Sequence, residues 1–87
     1  MAATTTAKRV ELCKESNMVD CAIYESSWSC DYMEDVVGIP DAKIRSGTVV
    51  FFGYCELFSG EDCDGPSFRL DTKGLNTMPF IPKSIIC

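Results

Sequence analysis

Leu57-Phe58-Ser59-Gly60-Glu61-Asp62-Cys63-Asp64-Gly65-Pro66-Ser67-Phe68-Arg69-Leu70 is the stretch on which the fold of this 87-residue chain turns. Its middle, from Ser59 to Pro66, concentrates the residues that reverse a backbone: glycine for positive φ, proline for a fixed φ, serine and aspartate for local side-chain hydrogen bonds. Its flanks have the opposite character. Ser67-Phe68-Arg69-Leu70-Asp71 alternates polar and apolar residues, as a half-buried strand does. Ahead of the turn, Thr48-Val49-Val50-Phe51-Phe52-Gly53-Tyr54-Cys55-Glu56-Leu57-Phe58 is rich in β-branched and aromatic residues. That run predicts a strand buried in part on both faces, with a bulge or bend at Gly53.

Further out, Lys83-Ser84-Ile85-Ile86-Cys87 reads as a short terminal strand, and Arg9-Val10-Glu11-Leu12-Cys13 alternates like the strand before Cys55. Tyr32-Met33-Glu34-Asp35-Val36-Val37 offers one helical turn, closed by Gly38 as its C-cap. Pro40, Pro79 and Pro82 limit any longer helix. Short strands separated by turns predict an all-β sandwich. Two units of four strands would each make a Greek key.

An internal repeat supports two units. A shift of 42 positions lays Cys13 on Cys55, Asp20-Cys21 on Asp62-Cys63, Ile39-Pro40 on Ile81-Pro82 and Ile44 on Ile86. The domain is therefore expected over residues 8–87, with motif one at about 8–46, motif two at about 47–87, and residues 1–7 as a flexible tail. Cys30 and Cys87 have no counterpart in this frame, which makes them candidates to pair with each other.

A chain this short buries a marginal core, and small scaffolds add staples. The six cysteines, Cys13, Cys21, Cys30, Cys55, Cys63 and Cys87, supply them. The absence of histidine and of any C-x2-C pair counts against zinc. The even count and wide spacing favour disulfides and an oxidising, extracellular compartment, with the connectivity open. Met1 to Arg9 lacks the apolar block of a signal peptide. The secreted reading therefore expects a mature form behind an added initiator Met. No run is long and apolar enough to span a membrane. The net charge of −5 counts against nucleic acid as a partner and against cationic membrane disruption.

The opening stretch resembles the βγ-crystallin Greek-key signature, with Phe58 in the aromatic place, Cys63 in the bulky place, Gly65 as the glycine and Ser67 as the serine. In that resemblance the glycine takes a positive φ in a folded hairpin, and the serine bonds back onto it. In the first unit Ser16, Ile23 and Glu25 stand at the corresponding places, so its hairpin must be rebuilt, with a disulfide as support. The family's calcium motif, N/D-N/D-x-x-S/T-S, falls on Asp41-Ala42-Lys43-Ile44-Arg45-Ser46, where the first and last positions fit and Arg45 brings the wrong charge. Lys83-Ser84-Ile85-Ile86-Cys87 fits worse. Calcium takes about six to eight oxygen ligands, so no metal site of the family type and no cofactor is expected. The acidic Glu61, Asp62 and Asp64 read as a solvated turn. In size, cysteine count and Lys-Ser-Ile…Cys ending the chain is similar to the secreted, cysteine-rich members, which include antimicrobial, killer-toxin and metalloproteinase-inhibitor proteins.

Without histidine, Ser-His and Cys-His nucleophile systems are excluded. The carboxylate pairs Glu34-Asp35 and Glu61-Asp62 come with no sign of a cleft, so no catalytic residue is assigned and no enzyme is expected. Tyr24, Trp28 and Phe80 are the candidate partner contacts, with core filling as the competing role. The expectation is a monomeric, toxin-like or effector-like protein that binds a protein or cell-surface target. The alternatives are a protease inhibitor presenting a rigid loop and a structural or stress protein of the crystallin type.

Overall fold

The computed structural model describes residues 8–26, 29–39 and 43–87. Residues 1–7, Trp28, and Pro40, Asp41 and Ala42 lie outside the described residues. The protein is all-β with one short helix: β1 Lys8–Glu15, β2 Val19–Ser26, β3 Asp31–Tyr32, α1 Met33–Val37, β4 Ser46–Val49, β5 Tyr54–Phe58, β6 Ser67–Asp71 and β7 Ser84–Ile86. All strand pairs are antiparallel. α1 is the single turn expected before Gly38, whose φ of 72° lets its N–H reach back to the Glu34 carbonyl.

The strands form two sheets, β2-β1-β4 and β3-β7-β5-β6. Each is built alike. A hairpin supplies two strands, β1–β2 or β5–β6, and the closing strand of the same half, β4 or β7, pairs with the hairpin's first strand. The position beyond the closing strand is then taken by the other half of the chain. β3 of the first half pairs with β7, and Leu75 of the second half bridges to Gly47 in β4. The close approach of β1 accounts for Gly47: a Cβ there would lie 2.6 Å from the Glu11 carbonyl oxygen.

Alternation places the core. Val10 and Leu12 of β1 and Cys55 and Leu57 of β5 are buried, with Arg9, Tyr54 and Glu56 outward. Leu57 stands opposite Phe68 on one side and Ile85 on the other, so apolar side chains line up across the second sheet. Met33 and Val37 of α1, with Ile44, Val49, Leu70 and Met78, complete the cluster.

Four expectations need correction. Thr48 to Phe58 is not one strand. β4 and β5 belong to different sheets, and the chain reverses at Phe51 (φ 76°) and Gly53 (φ 83°). The break between halves consequently falls after Val49 rather than at 46/47, since β4 pairs with β1. The disulfides join Cys13–Cys21, Cys30–Cys63 and Cys55–Cys87, so Cys30 and Cys87 do not pair with each other. Instead each takes one cysteine of the second unit.

The fourth correction, the register of the two halves, accounts for that pattern. Met18 and Cys63, and likewise Asp20 and Gly65, share positive φ in their hairpins at a displacement of 45 positions. Ser46 opposes Cys13, whereas its counterpart Ser84 opposes Phe58. The hairpins therefore correspond 45 positions apart and the closing strands 38 apart, and the 42-residue coincidence matches neither. Cys13 and Cys21 face each other across a tight turn. Cys55 faces Leu70, because the β5–β6 connection is long enough to carry Cys63 away from it.

Candidate functional site

Each hairpin is held down by one buried serine. The Ser84 hydroxyl accepts from the Cys63 N–H at 2.8 Å and donates to the Gly60 carbonyl. The Ser46 hydroxyl accepts from the Met18 N–H at 3.0 Å and donates to the Glu15 carbonyl at 2.6 Å. Both side chains are fully buried and fully satisfied. Gly65 adopts φ 77° within the fold-over, and a Cβ there would meet Ser59 Oγ at 3.0 Å. Phe58 is half-buried at the end of β5. Ser67 does not make the fold-back bond. It is exposed and donates to the Glu56 carboxylate at 2.8 Å, so the role expected of it belongs to Ser84.

The first hairpin makes its shorter turn without glycine. Asn17, Met18 and Asp20 all take positive φ. Cys13–Cys21 bridges its two strands, and the Met18 sulfur rests 3.8 Å from that of Cys13. This last is a packing contact, because a bridged cysteine has no proton to donate. Ser16, Ile23 and Glu25 do not occupy the places of Phe58, Gly65 and Ser67 once the 45-residue register is applied.

Two surfaces remain that the packing does not explain. The first is the link between β4 and β5. The Phe52 N–H bonds to the Val50 carbonyl at 3.1 Å, closing a three-residue turn around Phe51 at φ 76°. A γ-turn of positive φ is the rare, strained kind, and a bulky residue there is an outlier. The turn holds the Phe51 and Phe52 side chains 78% and 70% exposed. Tyr54 beside them is half exposed, with the Arg69 guanidinium 4.1 Å from its ring centroid. The expected contacts sit elsewhere. Tyr24 is half-buried against the core, and Phe80 is half-buried edge-on to Phe68, with ring centroids 5.1 Å apart.

The second surface is a recess of about 720 Å³ where β3–α1, the approach to β4, the second hairpin and the approach to β7 meet. Alternating burial along the approaches to β4 and β7 supplies its charge. Lys43 and Arg45 point outward on either side of buried Ile44, and Lys83 does so between buried Pro82 and Ser84. All three cations line the recess, with Glu34 and Glu61 also on its wall. Arg9 pairs with Glu25 at 3.6 Å, well exposed and away from the recess.

The recess includes Lys43 and Arg45 of the stretch compared with the calcium motif. Ser46, its last position, is committed to Glu15 and Met18, and Asp41 lies outside the described residues. Among the described residues no group of three or more His, Cys, Asp or Glu side chains is arranged to hold a metal ion. None of their helices is long and apolar enough to cross a membrane.

Tyr32, at the rim, donates its hydroxyl to Asp62 Oδ1 at 3.1 Å. That bond, then the negative charge of Asp62, then desolvation and the charges of Glu61 and Asp35, hold its phenol above the ordinary value of 10.0. A raised folded-state value means that the contribution of this contact is complete below the ordinary phenol range and is lost as pH rises through the folded-state value. The ultraviolet difference titration of the native protein against Tyr32→Phe should show one phenol ionising above pH 10.0. A midpoint at or below that value would remove the Tyr32–Asp62 link.

No family model matches the chain and no curated protein is similar to it.

Proposed function

We propose that this chain is an exported, disulfide-locked interaction protein, toxin-like or effector-like, that acts by binding a protein or cell-surface target rather than by catalysis. The observation that carries the reading is the γ-turn presenting Phe51 and Phe52 to solvent. Burying a phenylalanine is worth about 1.5–3 kcal/mol, and a strained backbone costs of order 1–3 kcal/mol. A marginal domain that forgoes the first and bears the second places its aromatic pair where a partner can desolvate it. Tyr54 with Arg69 adds two residue types enriched at binding hot spots. Three disulfides suit an oxidising compartment. For the fold we propose a pair of Greek keys packed in the βγ-crystallin manner. Supporting this are the matching strand orders of the two sheets, the exchanged edge pieces β3 and Leu75, and one serine-pinned hairpin in each half.

The test applies the purified, oxidised protein to bacterial, fungal, plant and animal cells, and measures viability and saturable surface binding of a labelled form. The expected result is a response or saturable binding in at least one cell class. Phe51→Ser/Phe52→Ser should reduce it at least about tenfold, the loss of one hot-spot-sized contact, with an unchanged melting temperature. Near-stoichiometric loss of protease activity instead would replace this reading with the inhibitor alternative. No response in any class would leave the structural, crystallin-type alternative in its place.

A further inference from the structure

We propose that the recess beside α1 is a binding site for a small amphiphilic oxyanion, a carboxylate or phosphate monoester carried on an apolar body. The site shares no residue with the Phe51–Phe52 turn and does not depend on the reading built on it. Its volume of about 720 Å³ falls in the range of small-molecule sites. Its polar and apolar parts are of the right kinds for such a ligand. Lys43, Arg45 and Lys83 are three of the eight cations in a chain of net charge −5, and they converge from segments far apart in sequence. Three like charges around one recess repel one another, and an oxyanion head relieves that repulsion while accepting hydrogen bonds from all three donors. Met33, Ile81 and Pro82 line the same recess and give an apolar body a surface to cover.

The carboxylates decide which anions enter. Glu34 and Glu61 stand in the recess, and the chain as a whole is acidic. A polyanion would meet repulsion from the wall and from the rest of the surface, whereas a ligand with a single anionic head reaches the three cations alone. The scaffold is held on two sides. Ser84 pins the second hairpin, and the adjacent Met33 N–H bonds to the Lys83 carbonyl at 2.9 Å. The arrangement is thus built before a ligand arrives.

The experiment titrates the full chain with octyl phosphate below its micelle concentration. It follows backbone amide shifts, with octanol and inorganic phosphate as separate probes. Octyl phosphate should bind saturably, with the largest shifts at Lys43, Arg45 and Lys83, and at least about tenfold more tightly than either separate probe, as expected when head and tail bind together. Binding should weaken as salt is raised. Lys43→Glu/Arg45→Glu should cost at least about tenfold in affinity, the scale of a mispaired charge at an interface, and should leave the melting temperature and the Phe51–Phe52 shifts unchanged. A second arm uses phosphatidylcholine vesicles with and without phosphatidic acid. Acid-dependent partitioning assigns the head group to a lipid surface, and its absence assigns it to a free amphiphile. Equal affinity for inorganic phosphate would overturn the amphiphile assignment. Absence of saturable binding, or shifts centred on residues 50–54, would overturn the site.

Discussion

Removing the Cys55–Cys87 bridge should cost this protein more stability than removing either of the other disulfides. Cys55→Ala/Cys87→Ala is expected to lose about 4–5 kcal/mol and about 16–40 °C in melting temperature. The bridge closes a loop of sequence separation 32, against 8 for Cys13–Cys21. On chain entropy alone those separations correspond to about 4 and about 2.5 kcal/mol. Position adds to length. β7, just before Cys87, has three residues yet lies inside its sheet between β3 and β5. Cys55 is fully buried in the core cluster, and Cys87 packs against that cluster. Without the bridge, β7 is free to fray, and β3 loses its only paired neighbour among the described residues. Cys30–Cys63 has a similar separation, 33, but Cys30 is exposed, so its loss should fall between the two. An 87-residue domain has about 4–13 kcal/mol of total stability. The Cys55/Cys87 variant should therefore be partly unfolded at 37 °C. Urea denaturation of the three double variants measures the order. An equal or larger loss for Cys13→Ala/Cys21→Ala would overturn it.

What sequence could and could not show divides along physical lines. The second hairpin was legible because its chemistry is local: Gly65 meets a positive φ, and the turn-rich run from Ser59 to Pro66 sits between two patterned strands. The single turn of α1 with its Gly38 cap was legible for the same reason. The reversal at Phe51 was not, because aromatic and β-branched residues signal extended backbone and nothing local marks a phenylalanine forced to φ 76°. Disulfide pairing depends on hairpin length. A shared C-x7-C spacing brings Cys13 and Cys21 together across a short turn, yet leaves Cys63 far along the connection from Cys55. The recess was invisible for a simpler reason. Lys43, Arg45 and Lys83 are ordinary surface cations until the fold brings the segments ahead of β4 and β7 to one recess. Which of core filling and partner contact an aromatic residue takes is a property of its neighbours, and Trp28 lies outside the described residues. Tyr24 and Phe80 lie half-buried, and Phe51 and Phe52 stand 78% and 70% exposed on a turn.

The two closing serines carry the second large effect. Ser84→Ala should destabilise the protein by about 1–3 kcal/mol, because it leaves the Cys63 N–H and the Gly60 carbonyl without their partner in a buried setting. Ser46→Ala should do the same through the Met18 N–H and the Glu15 carbonyl. Neither site has an obvious substitute donor, since each hydroxyl is fully enclosed. The two pins hold different hairpins and share no partner, so the double variant should lose the sum of the single losses to within about 0.5 kcal/mol. Its total loss should be about 2–6 kcal/mol. Amide hydrogen exchange separates this local role from general core damage. Ser84→Ala should speed exchange at the Cys63 amide more than at Met18, and Ser46→Ala should reverse that order, beyond the uniform change set by global stability. Cys63 is also bridged to Cys30, so the second hairpin stays tethered when its serine is lost. The local opening in Ser84→Ala should accordingly grow when that bridge is reduced, whereas Ser46→Ala should respond instead to loss of Cys13–Cys21. Losses below about 0.5 kcal/mol in both single variants, the range of an ordinary surface substitution, would mean that the hairpins hold their fold without the serines.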